Sequence, residues 1–540
     1  MRLAGPALLG ALLAAATMPP SAAAAAFSYG VASAEVKPTS ALVWTRAGVA
    51  GTVHLEVARD RHFERGRVHR NLTATVAKDL TVQVRLARLK PNTRYFYFFH
   101  QGRQRTVIGT FQTAPAASAA RTIRFAVTGD ADGVRGTDGH DYYNKYGAAD
   151  MGTYKAMRHE RNDFNVNLGD TIYSDSSPDD LNVPFANTLD LKREKYRLAL
   201  TYPNLLRLRA SGAMLNHWDD HEFVNDFTPH SQGCNLGALF SVPFACDIAS
   251  LYAGGVEAFR EYMPVTYTAQ DGLYRSFRWG KNLEIFMLDE RSCRSARASE
   301  SGVCDNPQGS GTPDPGPQLP QRVRNLFALV YKPAANAPRP ECLAALNDPS
   351  RTMLGPRQYA RFTAAIKHSK ATWKVIVNEV PMMEQPFNPY DDWMGYNGER
   401  VKLLSFLKRN VKNVVIVSTD FHSNWAADVR IHTFPEEGGV LNTGIKEFVA
   451  GGVADDLLGQ QIDSFTGQPG SYKLFESQFL FRKPPDGPGL LCSNMIAYGY
   501  AELSATAKTL TVAMKNNHGK EVIGSAGGGK CGPYVLRAKK

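Results

Sequence analysis

Past residue 26 the chain has no uncharged apolar run near the roughly 18 to 20 residues that a membrane-spanning helix needs. Stable membrane insertion is therefore not expected. Its seven cysteines never fall in C-x-x-C spacing, which argues against a structural zinc site and a dithiol redox motif. No internal repeat is present, no twin arginine marks the N-terminus, and no basic stripe interleaves with aromatics. These absences argue against a solenoid, the folded-protein export route and a dedicated nucleic-acid face. Charged residues make up only 21% of the chain and hydrophobic residues 43%, so it is neither disordered nor coiled-coil. At 540 residues it is too long for one ordinary core, and two or more domains are expected.

The N-terminus carries Arg2, an apolar run from about Leu8 to Ala16, Pro19-Pro20 and the small residues Ser21 to Ala26. This pattern predicts a signal peptide over 1–26 and a secreted or periplasmic mature protein. Removing Arg2 lowers the formal charge from +11 to +10, which favours an anionic partner. The charge is diffuse, its longest cluster being the terminal Arg537, Lys539 and Lys540. In an exported chain the cysteines are expected in disulfides, with Cys234–Cys246 the first pair and, seven being odd, one left over.

From Phe27 to about Pro115 short β-rich runs alternate with turn residues: 41–45, 52–57, 80–86, 94–99 and 106–112. They predict one immunoglobulin-like or fibronectin III-like β-sandwich over 27–115. LKPNTRYFY (89–97) followed by GTFQTAP (109–115) resembles the closing strands of a fibronectin type III domain. After a small-residue linker the pattern changes to apolar strands at 123–127, 164–168, 283–288, 373–377 and 413–417, with helices at 151–161, 357–368 and 401–411. This alternation predicts an α/β domain over 122–515, followed by a tail at 516–540. Segments 226–255 and 295–350 read as long inserted loops that set access to a site.

Acids and imidazoles follow these strands: Asp130 and Asp132, Asp170 and Asp175, Asp289, Glu379, Asp420 and His422, with Asp219, Asp220 and His221 in a further segment. In an open α/β sheet, groups beyond the carboxyl ends of strands converge on one crevice. Packed carboxylates repel unless protonated or neutralised, so the convergence calls for cations. Oxygen ligands with one or two imidazoles suit hard or borderline ions, and a two-ion site suits phosphoryl transfer to water.

GDTIYSD (169–175), WDDHE (218–222), AFREYMPV (258–265), FMLDER (286–291), TMLGPRQ (352–358) and Asp420-x-His422 together resemble PhoD-type alkaline phosphatases of the calcineurin-like metallophosphoesterase superfamily. The resemblance covers nearly the whole mature chain. It implies a four-layer αββα sandwich behind the β-sandwich, acting on phosphomonoesters or phosphodiesters. By position, Asp170 resembles the carboxylate bridging two cations and Tyr173 the phenolate that ligates ferric iron. Asp220 and His221 fall on the Asn-His of G-N-H-[DE], implying a metal ligand and a group at the phosphate or leaving oxygen. Asp219 is placed behind them. Asp420 and His422 resemble the terminal metal-binding pair.

Some positions depart from the pattern. Asp130 stands where some relatives carry cysteine, Thr419 replaces the glycine of G-D-x-H, and Trp393 to Tyr396 lack the acid of W-D-G-Y. Asp391 and Asp392 either replace that acid or face solvent. Asn378 reads as a metal-facing amide or a strand-end turn, and Arg291 as a bidentate phosphate ligand or a structural ion pair. The implied cofactors are two or more metal ions, iron with calcium first and zinc or another divalent ion as the alternative. The implied mechanism is in-line attack by metal-bound hydroxide, with no covalent serine intermediate. Wall polymer and nucleic acid remain open as larger polyanionic substrates. The rival reading is an exported polyanion-binding protein with a structural metal site.

Overall fold

The computed structural model describes residues 27–539 except 137–138, 177–184, 232, 235–244, 307–310, 330, 386, 478–488 and 526–528. The predicted signal peptide lies outside the described residues.

The N-terminal module is built from β1 (Val31–Ala34), β2 (Ser40–Arg46), β3 (Gly51–Ala58), β4 (Val68–Ala74), β5 (Thr81–Ala87), β6 (Arg94–Gln101), β7 (Gln104–Arg105) and β8 (Gly109–Gln112). They form two sheets, β1-β2-β5 and β4-β3-β6-β7, with β8 on β6. Alternation along the strands sends Leu55, Tyr97 and Phe111 inward with Val43 to make the sandwich core. Tyr95 closes the corner after LKPNT, its hydroxyl accepting from the Lys90 amide at 2.9 Å. The other face of the β1-β2-β5 sheet packs on the second domain: Ala32 and Trp44 join its helical core, and the Trp44 indole donates to the Glu261 carbonyl at 2.7 Å.

The strands of the second domain are β9 (Ile123–Ala131), β10 (Phe164–Leu168), β11 (Ala213–His217), β12 (Arg275–Trp279), β13 (Leu283–Met287), β14 (Trp373–Val377) and β15 (Val414–Ser418). There follow β16 (Asn424–His432), β17 (Leu441–Val449), β18 (Gly452–Ala454), β19 (Cys492–Asn494), β20 (Gly499–Ala505), β21 (Thr509–Asn516) and β22 (Tyr534–Arg537). The helices that concern the site and its walls are α1 (Gly152–His159), α2 (Leu189–Ala199), α3 (Pro203–Ser211), α4 (Ile248–Tyr262), α5 (Gln321–Phe327), α6 (Pro340–Asn347), α7 (Gly355–His368) and α8 (Asn397–Asn410).

One sheet runs β11-β10-β9-β20-β21-β22 with β18 beside β9; the other runs β12-β13-β14-β15-β17-β16-β19. Phe125, Val166 and Leu215 of the first meet Ile285, Val375 and Val417 of the second in one core. Tyr154, Leu205 and Phe259 cover the first sheet, and Phe362, Ile376 and Leu403 form the core over the second. Helices outside two packed sheets give the four-layer αββα sandwich behind a β-sandwich.

Three sequence expectations change. Segment 295–350 is not a bare loop: it carries α5, α6 and the Cys304–Cys342 disulfide. Pro340 occupies the first position of α6, where its missing N–H costs nothing. Within 226–255, α4 begins at Ile248 and the expected Cys234–Cys246 disulfide is present. The segment set off as a tail is held to the fold, since β22 pairs with β21 and Cys531 bonds Cys492. Cys293 is the cysteine left over.

Candidate metal centre

The strands β9, β10 and β11 run parallel, as do β13, β14, β15 and β17, so their carboxyl ends open on the same side of their sheets. Asp130 lies at the end of β9, Asp170 two residues past β10, Asp219 to His221 past β11, Asn378 past β14, and Asp420 and His422 past β15. Asp130, Asp170, Asp420 and His422 all adopt left-handed backbone, with φ of 55°, 48°, 70° and 46°. Such conformations are costly for residues other than glycine and cluster at functional sites. Gly169 is needed where it stands. At φ +97° a Cβ there would sit 2.4 Å from Asp219 Cβ and 2.5 Å from Asp219 N, so the β10 and β11 turns close together only with glycine.

Glu222 fixes that contact. Its buried carboxylate accepts from the amides of Asp170 (3.0 Å), Thr171 (2.8 Å) and Asp219 (2.8 Å). Behind it the buried Lys192 ammonium of α2 donates to Ser174 Oγ and to the Glu222 and Phe223 carbonyls at 2.7 to 3.0 Å. These side chains set the path of the backbone that carries Asp170 and His221.

The acids meet in groups of three, some of which share Asp220. Ligand atoms of Asp130, His422 and Asp455 lie within 4.8 Å of one another, as do those of Asp170, Asp220 and His221, and those of Asp219, Asp220 and Asp420. Both oxygens of Asp130 and of Asp455, Asp170 Oδ2, Asp220 Oδ1 and both amide atoms of Asn378 are buried without a hydrogen-bond partner. Orphaned buried oxygens in such number are rare in native proteins and point to a missing ion. Burial pushes the Asp130, Asp170, Asp420 and Asp455 carboxyls well above the usual carboxylate range, and the charges of neighbouring acids add to it. A cation among them reverses that balance.

The imidazoles are oriented from behind. His422 Nδ1 lies 2.8 Å from the Asp456 carbonyl and 3.0 Å from Gln461 Nε2; in the tautomer that donates Nδ1–H to that carbonyl, Nε2 keeps its lone pair. Nε2 is 3.1 Å from the Tyr173 hydroxyl. His221 Nδ1 is 2.6 Å from Asp175, whose other oxygen accepts from Asn225 N. Although burial disfavours its charge, Asp175 and Asp220 raise the His221 imidazole to about 10. Tyr173 stacks on that ring at 4.0 Å.

Arg291 does not reach out as a phosphate clamp. Its guanidinium is fully buried, with Nε on Asp219, Nη1 on both oxygens of Asp391 (2.8 and 3.0 Å) and Nη2 on Asp420 (3.3 Å). It organises the acids instead. Asp391 and Asp392 do not face solvent either: Asp391 is tied to Arg291 and Arg294, and the buried Asp392 caps the turn at Met394. Asp130, Asp170, Asp220, His221, Asp420 and His422 are brought together with Tyr173 alongside, while Asn378 stands at its strand end. Asp455 and Glu222 are members that the strand pattern did not single out.

The donors fit two or more hard or borderline cations: carboxylates with open oxygens, an imidazole lone pair and a phenol beside it. Residues 141–514 match the model of the PhoD-like phosphatases, and 13–115 match that of the PhoD-like phosphatase N-terminal domain. The chain is 26% identical over 446 residues to alkaline phosphatase D of Bacillus subtilis (strain 168), a match spanning 75% of this chain and 66% of that protein, just under two thirds of its length. Among solved structures it resembles that of PhoD, with TM-score 0.67 and 22% identity over 96% of this chain and 90% of the other. It also resembles purple acid phosphatase PPD1 from yellow lupin (Lupinus luteus) seeds, with TM-score 0.53 and 13% identity over 92% and 72% of the two chains. With most of its catalytic domain and its β-module both matched, the chain belongs to the PhoD-like phosphatase family.

Proposed function

We propose that this chain is an exported, metal-dependent phosphoric ester hydrolase acting on phosphomonoesters or phosphodiesters. The observation that carries the reading is the set of buried carboxylates with unpartnered oxygens at the carboxyl ends of both sheets. Three disulfides fit an oxidising compartment.

In this reading Asp130, Asp170, Tyr173, Asp220, Asn378, Asp420 and His422 would hold the ions, with Asp455 added beside Asp130. A phenol among carboxylates suits iron and the remaining oxygen ligands suit calcium, with zinc or another divalent ion as the alternative. When bound, such ions supply Lewis acidity toward the phosphate and acidify a water. The chain does the rest. His221, held by Asp175, presents its free Nε2 to the phosphate or leaving oxygen as a charged donor. Arg291 is a positioning residue that keeps Asp219 and Asp420 apart at fixed geometry.

Asp170→Asn tests this. Turnover of a monoester and a diester is expected to fall at least about 10³-fold, with the circular-dichroism spectrum unchanged. Full turnover in that variant would end the hydrolase reading.

A further inference from the structure

At the opposite ends of the same strands the charge inverts. The residues that open β14, the loop before β15, the turn between β20 and β21 and the last strand β22 line a cavity of about 550 Å³ that is widely open to solvent. Lys374, Lys412, Lys508, Arg537 and Lys539 line it with Asn413 and small residues, and among the described residues no Asp or Glu stands in the lining.

The walls are pinned by the fold. Ala538 N donates to the Lys508 carbonyl at 2.8 Å, and Lys374 N to the Asn413 carbonyl at 3.0 Å. Lys539 N donates to Asn413 Oδ1 at 2.7 Å, and Asn413 Nδ2 returns a bond to the Lys539 carbonyl at 3.1 Å. Cations from four separate chain segments are thus held around one space.

Lys374 is only 9% exposed. Its cross-strand neighbour Glu284 is engaged by Arg278 at 3.2 Å and by Ser369 Oγ at 2.6 Å. Among the described residues no acid forms an ion pair with Lys374, Lys508, Arg537 or Lys539. Lys374, Lys508, Arg537 and Lys539 repel one another around that space, and an anion that enters relieves them together. The cavity holds on the order of eighteen water volumes, far more than one orthophosphate needs. Cations spread over four segments around that space suit several anionic groups on one ligand.

We propose that this cavity is a second, non-catalytic binding site for a small multiply phosphorylated anion, two or more phosphates spaced along a flexible backbone. Lys374 and Asn378 sit four residues apart on and just past β14, about 13 Å along the strand, so the ligand is held away from the metal centre. The site stands whether or not the chain hydrolyses phosphoric esters.

Calorimetric titration of the metal-replete full chain with hexane-1,6-bisphosphonate, which has no ester to hydrolyse, tests it. The triple variant Lys508→Ala/Arg537→Ala/Lys539→Ala is expected to bind one equivalent fewer than wild type, with unchanged kcat/KM on a chromogenic monoester. Lys374→Met is expected to keep that equivalent with at least tenfold weaker affinity. A charge-matched control on the exposed hairpin of the β-module, Arg59→Ala/Arg61→Ala/Arg65→Ala, should bind as wild type does. Equal stoichiometry and affinity in the cavity triple, or the same loss in the control triple, would overturn the proposal.

Discussion

The junction between the β-module and the catalytic domain buries acids, and so does the metal centre, but the two regions treat the charge in opposite ways. At the junction Asp79 is met by Arg46 at 2.7 Å, by Arg197 at 2.6 Å and by the Tyr262 hydroxyl. Burial pushes its carboxyl up, yet these partners outweigh burial and hold it below the usual range. At the metal centre neither oxygen of Asp130 or of Asp455 has a hydrogen-bond partner, His422 Nδ1 standing 3.7 Å from Asp455, and burial with neighbouring acids drives both far up. A carboxylate completed by its own chain stabilises a junction; one left open is completed by something else.

The largest effect is expected from closing the space between the turns at the centre. Gly169→Ala puts a Cβ into Asp219 at a left-handed φ and should cost about 3 kcal/mol or more, with most turnover lost. Wild-type stability by denaturant unfolding would show that the turns are not packed as described.

Asp455→Asn separates the two regions more sharply. Removing a buried carboxyl that must take up a proton when no ion is present should raise Tm in chelated protein, whereas losing a ligand should lower Tm in metal-replete protein. The same sign in both conditions would mean that Asp455 holds no ion. For Asp79→Asn the change should be destabilising and independent of metal.

Glu502 gives a third case, a largely buried acid away from both regions. Its Oε2 accepts from Asn162 Nδ2 at 3.2 Å, and burial with nearby Glu160 pushes it up to about 8. Because its folded pKa lies above its ordinary value, its stability contribution is full below about pH 4.5 and is lost as pH rises toward 8, by at most about 1.4 kcal/mol per unit. Glu502→Gln should therefore narrow the fall in Tm between pH 5 and pH 8. An unchanged slope would assign that fall to other groups.

The smallest effect is expected from Asp79→Asn, about 1 kcal/mol, since its partners are partly exposed. Its sign is opposite to that of Glu502. A depressed carboxyl stabilises above its unfolded pKa, so the difference from wild type should shrink as pH falls through its depressed folded pKa.

Much of this contrast is legible in the amino-acid order, and the gaps have physical reasons. Strands 164–168 and 373–377 coincide with β10 and β14 because each is a short buried run that ends directly in turn chemistry. The acids after those strands stand out for the same reason. Asp455 does not, because β18 is only Gly452–Ala454 and offers no apolar run to read. Glu222 acts through backbone amides some fifty residues away, which no local pattern records. Arg291 reads equally as ligand or ion pair until its partners, 72 to 129 residues distant, are in place. Segment 295–350 reads as loop from its proline and glycine, although Pro340 begins a helix.

The most direct test is metal content of the full chain purified without chelators or affinity metal, measured with turnover before and after chelation. The account predicts two or more equivalents per chain, with turnover lost on chelation and restored by the same ions. Less than one equivalent, together with turnover that chelation leaves untouched, would contradict it.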